Sequence, residues 1–367
     1  MNRKLIKLLL LVVFLCPSLS KAQSQTSPLT SREIVALVYQ LPKHPEMRDE
    51  IVEEIRKRGI GFPLTDGMRS LVASKSGSDA LLRHTLEEAE RRRVNPAASA
   101  RPPDAEATEL LDRTRTATLA VAAAMPDFIV KQLIKRSVAY GTTNNWLPQD
   151  NLTIAVAYRA NVGEQYKVLA VNGMPLSQEV KESRDYAKDV APGTTSSGVE
   201  YISAVADVFK PESKTDFKLA DTDLIQGRRT LVFEYQIEKP FSHLNLSITK
   251  DGSGSGPSVT VGSRGRVWID RESNRVLRFE QIATEIPGDF PITAASSVID
   301  YDWVTINENK YLLPSRSEIL LTTVRGNRSE QSRNEIRFRG YQKFGAELKV
   351  IDEIDEKDFP PEKPEKP

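Results

Sequence analysis

Residues 267–280, VWIDRESNRVLRFE, hold Asp270, Glu272 and Glu280 among Arg271, Arg275 and Arg278. Acids and guanidinium groups this close could form a charged catalytic pocket or simply stabilise a turn. The second reading follows from register. A type I turn at Glu272–Ser273 with Asn274 in the left-handed conformation is a common three-residue hairpin loop. Asp270 then faces Val276, Ile269 faces Leu277, Trp268 faces Arg278 and Val267 faces Phe279. One face carries Val267, Ile269, Leu277 and Phe279, and the other carries Trp268, Asp270, Arg278 and Glu280. A one-residue slip would scatter both sets, so this pairing is selected by the sequence itself. Asp270 is expected to cap the turn by accepting backbone amides, and Trp268 and Arg278 to form a cross-strand cation–π pair.

Other chemistry-bearing residues give less. His44, His84 and His243 are far apart and have no cysteine or acid at ligand spacing, so no metal site is expected, and His84 is expected to be solvated. Ser247–Lys250, SITK, matches S-x-x-K, but it continues the alternation of Leu244, Leu246 and Ile248. A penicillin-recognising nucleophile needs a helix start and S-D-N and K-T-G partners, and those are lacking. GSGSG places Gly254 where G-x-S-x-G needs serine. No phosphate loop, dinucleotide fingerprint or calcium loop is present, and no cofactor is expected. The chain reads as non-enzymatic.

The elements that must position these residues begin at Thr30. Met1–Ala22 has Arg3, Lys4 and Lys7, then an apolar run from Leu8 to Leu15, and small residues before Ala22. This reads as a cleavable signal peptide, with a run too short for the roughly 20 residues of a membrane span, and places the chain in the periplasm or outside the cell. Removing Arg3, Lys4, Lys7 and Lys21 takes the formal charge from +1 to −3. No nucleic-acid partner is expected from that balance. The single cysteine, Cys16, lies inside the signal behind Leu15. A lipidated cysteine wants a small residue there, so the exported chain is expected to be free of cysteine and disulfides.

Residues 30–93 read as a small four-helix domain. Thr30–Glu33 is a capping box, Thr65 and Ser78 are expected caps, and Pro45 suits a first helical turn. Residues 94–103, rich in Pro and Ala, read as a linker. A long helix follows from Asp104 to about Ala124, broken at Pro126. Beyond it period two takes over, at Leu152–Tyr158, Leu231–Ile237, Leu244–Ile248 and Ile336–Phe338, with one helical interruption at Gly198–Phe209. Residues 352–367, charged and Pro-rich, are expected to be disordered.

The hairpin GRVWIDRESNRVLRFE resembles the central hairpin of the outer-membrane lipoprotein carrier and sorting superfamily. MPDFIVKQ, GRRTLVFEYQI, YLLPSRSEI and NEIRFRGYQKF fit around it in the expected order, so the resemblance spans about residues 104–351. It implies an α+β fold, a small helical domain followed by a curved antiparallel half-barrel with a helix packed across it. The chain departs from the pattern in its extra helical domain and in lacking a recognisable counterpart of the carriers' gating arginine. The resemblance implies an apolar cavity under the sheet holding a lipid, a lipoprotein acyl chain or another amphiphile. Its candidate lining is Ile154, Val156, Phe233, Tyr235, Val267, Ile269, Leu277 and Phe279. Periodicity alone allows the same residues to form a solid core instead. In that case the helical domain would dock an envelope protein partner, as a sensor or assembly factor.

Overall fold

The computed structural model describes residues 27–141, 145–160, 162–176, 202–248, 256–326, 328–343 and 354–359. The expected signal peptide lies outside these residues, as does most of the glycine-rich loop after Ile248.

Four helices open the chain: α1 (Ser31–Val38), α2 (Arg48–Arg58), α3 (Asp66–Ser76) and α4 (Ala80–Val94). The capping box forms as expected, with the Thr30 amide donating to Glu33 Oε2 at 2.8 Å and the Glu33 amide donating to Thr30 Oγ1 at 3.3 Å. Thr65 caps α3. α4 is capped by Asp79, one residue later than expected, because Ser78 takes a left-handed turn (φ 64°). The apolar stripes, Ile34 and Val38 with Ile51, Val52, Ile55, Leu82 and Leu86, pack into one cluster.

Helix α5 (Asp104–Ala123) leads into the sheet, and α6 (Ile202–Phe209) falls within the helical interruption expected there. The strands are β1 (Phe128–Tyr140), β2 (Leu147–Arg159), β3 (Gly163–Val171), β4 (Met174–Pro175), β5 (Asp216–Ile225), β6 (Arg228–Ile237), β7 (Asn245–Ser247), β8 (Ser258–Thr260), β9 (Gly262–Asp270), β10 (Val276–Thr284), β11 (Ile292–Ile306), β12 (Asn309–Arg325) and β13 (Arg328–Lys343). Eleven of them form one antiparallel sheet in the order β4-β3-β2-β1-β13-β12-β11-β10-β9-β6-β5, and β7 and β8 pair separately. The sheet is open: β4 and β5 are its two edges and no bond joins them. The α+β architecture inferred from the sequence is therefore the observed one, with the half-barrel realised as an open sheet.

Each face of β6, β9 and β10 has its own cover. Val267, Phe233, Tyr235 and Phe279 lie on the face packed under α5 and α6. There Phe209 of α6 stacks on Phe217 at 5.4 Å, and Tyr235 stacks on Phe279 at 5.8 Å. The opposite face carries Trp268, Arg266, Asp270, Arg278 and Glu280 and is covered by the N-terminal helices. Gly265 is required by this packing. A Cβ there would lie 1.9 Å from the Glu280 carbonyl oxygen and 2.9 Å from the Tyr235 ring, which occupies the space above it.

The segment read as a linker and the described part of the segment expected to be a disordered tail both make packed contacts. In the 94–103 linker, Ala97–Ser99 forms a short 3₁₀ turn, and Arg229 Nη2 donates to Ser99 Oγ at 3.0 Å and to the Ala98 carbonyl. In the 352–367 tail, Ile354 and Phe359 are buried against Ile129, Ala155, Ala157 and Leu169. Average composition conceals this, because two apolar anchors suffice to dock six otherwise polar residues.

Candidate functional site

The hairpin answers its own question. Asn274 is left-handed (φ 53°), and Trp268 pairs with Arg278 and Val267 with Phe279, as expected. Nearer the turn the register differs. Val276 faces Ile269 and Leu277 is the extra residue of a bulge, because the Asp270 amide donates to the Arg275 carbonyl at 2.8 Å and closes the turn tightly. Asp270 accepts from the Ser273 amide at 3.1 Å, as a turn cap should, and also from Arg228 Nη2 at 2.6 Å. Burial would raise its carboxyl, but the bonds from Arg228 and Ser273 hold it below the usual range. This is a satisfied structural acid. The Arg278 guanidinium stands 5.5 Å over the Trp268 ring, but both are buried, and Arg278 Nη1 also binds Asp300 Oδ1 at 2.7 Å.

Period two does not say what covers the polar face. Here Arg48 reaches Glu280 at 3.2 Å and Arg266 reaches Glu280 at 3.1 Å. Arg56 meets Glu234 at 3.0 Å, and Arg92 meets Asp221 at 2.5 Å. Asp223 accepts from Trp268 Nε1 at 3.0 Å and from Arg91 at 2.8 Å, with His84 Nδ1 at 3.1 Å. His84 is thus an interface residue and not a solvated one. Burial pushes Glu280 up, but Arg48 and Arg266 more than offset it and keep the carboxylate charged. Asp49 is likewise pushed up by burial and pulled down to about 2 by Arg48 and Arg266. These pairs lock the helical domain to the sheet.

The candidate lining residues divide between two apolar clusters. Phe233, Tyr235, Val267, Ile269, Leu277 and Phe279 belong to the cluster under α5 and α6. Ile154 and Val156 belong to a second, with Phe128, Ile134, Ile319 and Ile336. All eight are buried, none more than 8% exposed, so their side chains are in contact with protein. At the seam between the clusters lies a part-open cleft of about 60 Å³. Val205, Val276, Tyr301 and Leu312 face it from the first cluster, and Val121 and Tyr311 belong to the rim of the second. Thr118, Trp303, Arg275 and Lys310 complete it. The volume is well below the roughly 300–1,000 Å³ of pockets that enclose drug-sized ligands, so as it stands the cleft seats part of a molecule.

Arg275 is the functional candidate that hairpin reasoning passed over. It follows the left-handed Asn274, so its side chain leaves the turn on the α5 side. No hydrogen bond satisfies its buried Nη1, and burial alone pulls its pKa down. No local signal in the sequence marks it, because the acids that match its neighbours come from other elements: Arg271 binds Glu106 at 2.6 Å and Arg278 binds Asp300.

No family model and no curated protein matches the chain. Among solved structures it is similar to a LolA superfamily protein from Nitrosomonas europaea, at 11% identity and a TM-score of 0.32, covering 65% of this chain and 96% of that one. It is similar to a DUF1329 family protein from Desulfovibrio piger, at 11% identity and a TM-score of 0.29, covering 63% and 93%. A structure described as an outer membrane lipoprotein-sorting protein domain, from Vibrio parahaemolyticus, matches at 10% identity and a TM-score of 0.28, covering 68% and 94%. The function must be read from this chain's own residues.

Proposed function

We propose that this is a non-enzymatic, exported binding protein that seats the apolar part of an amphiphile, a lipid or a lipoprotein acyl chain, between the sheet and its covering helices. The observation that carries this reading is the seam cleft. Tyr301, Val276 and Leu312 on the sheet side and Val121 and Val205 on the helix side offer an apolar, part-open slot where two clusters meet. A chain entering there would part the clusters and extend onto the floor that Val267, Ile269, Leu277 and Phe279 form on one side and Ile154 and Val156 on the other. Each buried methylene would contribute about 0.8 kcal/mol, so even a short buried segment gives measurable affinity. The envelope-docking alternative has less to draw on. Among the described residues 30–93, Tyr39 is the one large apolar side chain more than a third exposed, and Lys75 stands over its ring.

The test is native mass spectrometry with lipid extraction on protein purified from an envelope fraction, beside the variant Val205→Phe. The larger side chain fills the slot without adding charge. Acyl ligand should accompany the parent protein and drop at least tenfold in the variant, with unchanged circular dichroism. Parent protein that carries no acyl ligand and takes up none from mixed micelles would overturn the reading.

A further inference from the structure

The cleft contains a cation that the protein itself leaves unmatched. Arg48, Arg56, Arg91, Arg92, Arg228, Arg229, Arg266 and Arg278 all meet acids. Among the described residues Arg275 meets none, and its Nη1 is shut off from solvent without an acceptor. The guanidinium is partly buried, so the cost falls on this one donor, which water does not reach and which a ligand oxygen could satisfy. Among the described residues the cleft is lined by Thr118, aliphatic and aromatic residues, Arg275 and Lys310, and no acid. Lys310 is exposed at the strand start of β12, next to the half-exposed Trp303, so a second cation stands at the mouth.

We propose that the cleft reads the anionic head of its amphiphile: a carboxylate or phosphate binds the Arg275 guanidinium, Lys310 adds charge at the mouth, and the apolar chain lies against Val121, Val205 and Leu312. This rests on the binding reading above and names its ligand class. An arginine is suited to the task because its planar fork matches a carboxylate or phosphate with two donors at once. Neutral amphiphiles would leave Arg275 unmatched and are selected against, since rejecting a ligand that lacks the needed group is how a buried polar site gains specificity. Burial depresses the Arg275 pKa, and a bound anion would offset that penalty.

The experiment is a titration of the purified exported chain, followed by tryptophan fluorescence and calorimetry, with decanoate, decanol, acetate and inorganic phosphate. Decanoate should bind at least tenfold more tightly than decanol, and Arg275→Gln should abolish that preference while leaving decanol affinity unchanged. Lys310→Gln should weaken decanoate by about two- to fivefold and steepen no other response. Arg275→Gln is expected to fold, because it removes an unmatched buried charge, and its Tm should equal or exceed that of the parent. Equal binding of decanoate and decanol, or full decanoate affinity in Arg275→Gln, overturns the anion assignment while leaving an apolar site in place. Failure of both decanoate and decanol to bind overturns the amphiphile reading as well. Acetate or phosphate binding as tightly as decanoate would show a free-anion site and overturn the amphiphile part.

Discussion

Asp270 and Arg275 lie five residues apart on one hairpin and have opposite situations. Asp270 is saturated by Arg228 and Ser273, whereas Arg275 Nη1 has no acceptor. Removing the acid should therefore hurt the fold: Asp270→Ala leaves Arg228 with only its 3.4 Å pairing to exposed Glu272 and the turn uncapped, and should cost about 2–3 kcal/mol in urea denaturation. At Gly265 the cost is steric. Gly265→Ala drives a Cβ into the Glu280 carbonyl and the Tyr235 ring, and should destabilise by about 2–4 kcal/mol, read as a lower denaturation midpoint with an unchanged m-value. Glu164 on β3 gives a pH signature. Burial pushes its carboxyl up to about 7, against a bond from the Tyr166 hydroxyl that lowers it. The folded state thus holds this proton more tightly than the unfolded chain. The associated stability is complete below about pH 4.5 and is lost as pH rises through 7. Glu164→Gln should match the parent near pH 4 and exceed it by about 1–2 kcal/mol at pH 8.5, since the half-buried group keeps some solvent. A constant difference across that range would contradict the assignment.

At the scale of elements, the decisive contact is between the four-helix domain and the polar face of β5, β6, β9 and β10. Its ion pairs are buried, so their worth lies less in net attraction than in the penalty for breaking one member. Glu280→Gln should cost about 3–5 kcal/mol because Arg48 and Arg266 lose their shared acid, whereas Arg266→Met combined with Glu280→Leu should cost much less. A double-mutant cycle measures the difference. Acid acts on the same contact. Asp49, Glu88 and Glu280 all titrate below their usual values. Their contribution is present above about pH 4.5 and is lost as pH falls through those lowered values, so the helical domain should release between about pH 4 and pH 2. Hydrogen exchange or near-ultraviolet circular dichroism across that interval would register the release.

For the whole molecule, the two faces of one sheet have different jobs. On β5, β6, β9 and β10 the polar face is closed by the helical domain, and the apolar face is closed by α5 and α6 except at the seam. A chain beginning at residue 104 would therefore expose Trp268 and Val232 and strip Asp221 and Asp223 of their cationic partners, and is expected to aggregate or to run as a larger species in size exclusion. Ligand binding at the seam should raise the Tm of the intact chain as concentration rises, by an amount equivalent to about 2.7 kcal/mol at one hundred times Kd.

What the sequence alone determined was whatever depends on neighbours along the chain. The Thr30–Glu33 box, the left-handed Asn274, the split of Val267 and Phe279 from Trp268 and Arg278, and the order of helices before strands are all set by local geometry and period, and all are observed. Only the tertiary structure decided what covers each face. Alternation cannot distinguish a polar face turned to water from one sealed by Arg48, Arg56 and Arg92, because ion-pair partners here come from segments over one hundred residues away. It likewise cannot separate Ile154 and Val156 from the other six candidate residues, or find Arg275 without an acid. Whether a charge is matched depends on long-range packing, which is why Arg275 stands out only in the folded chain.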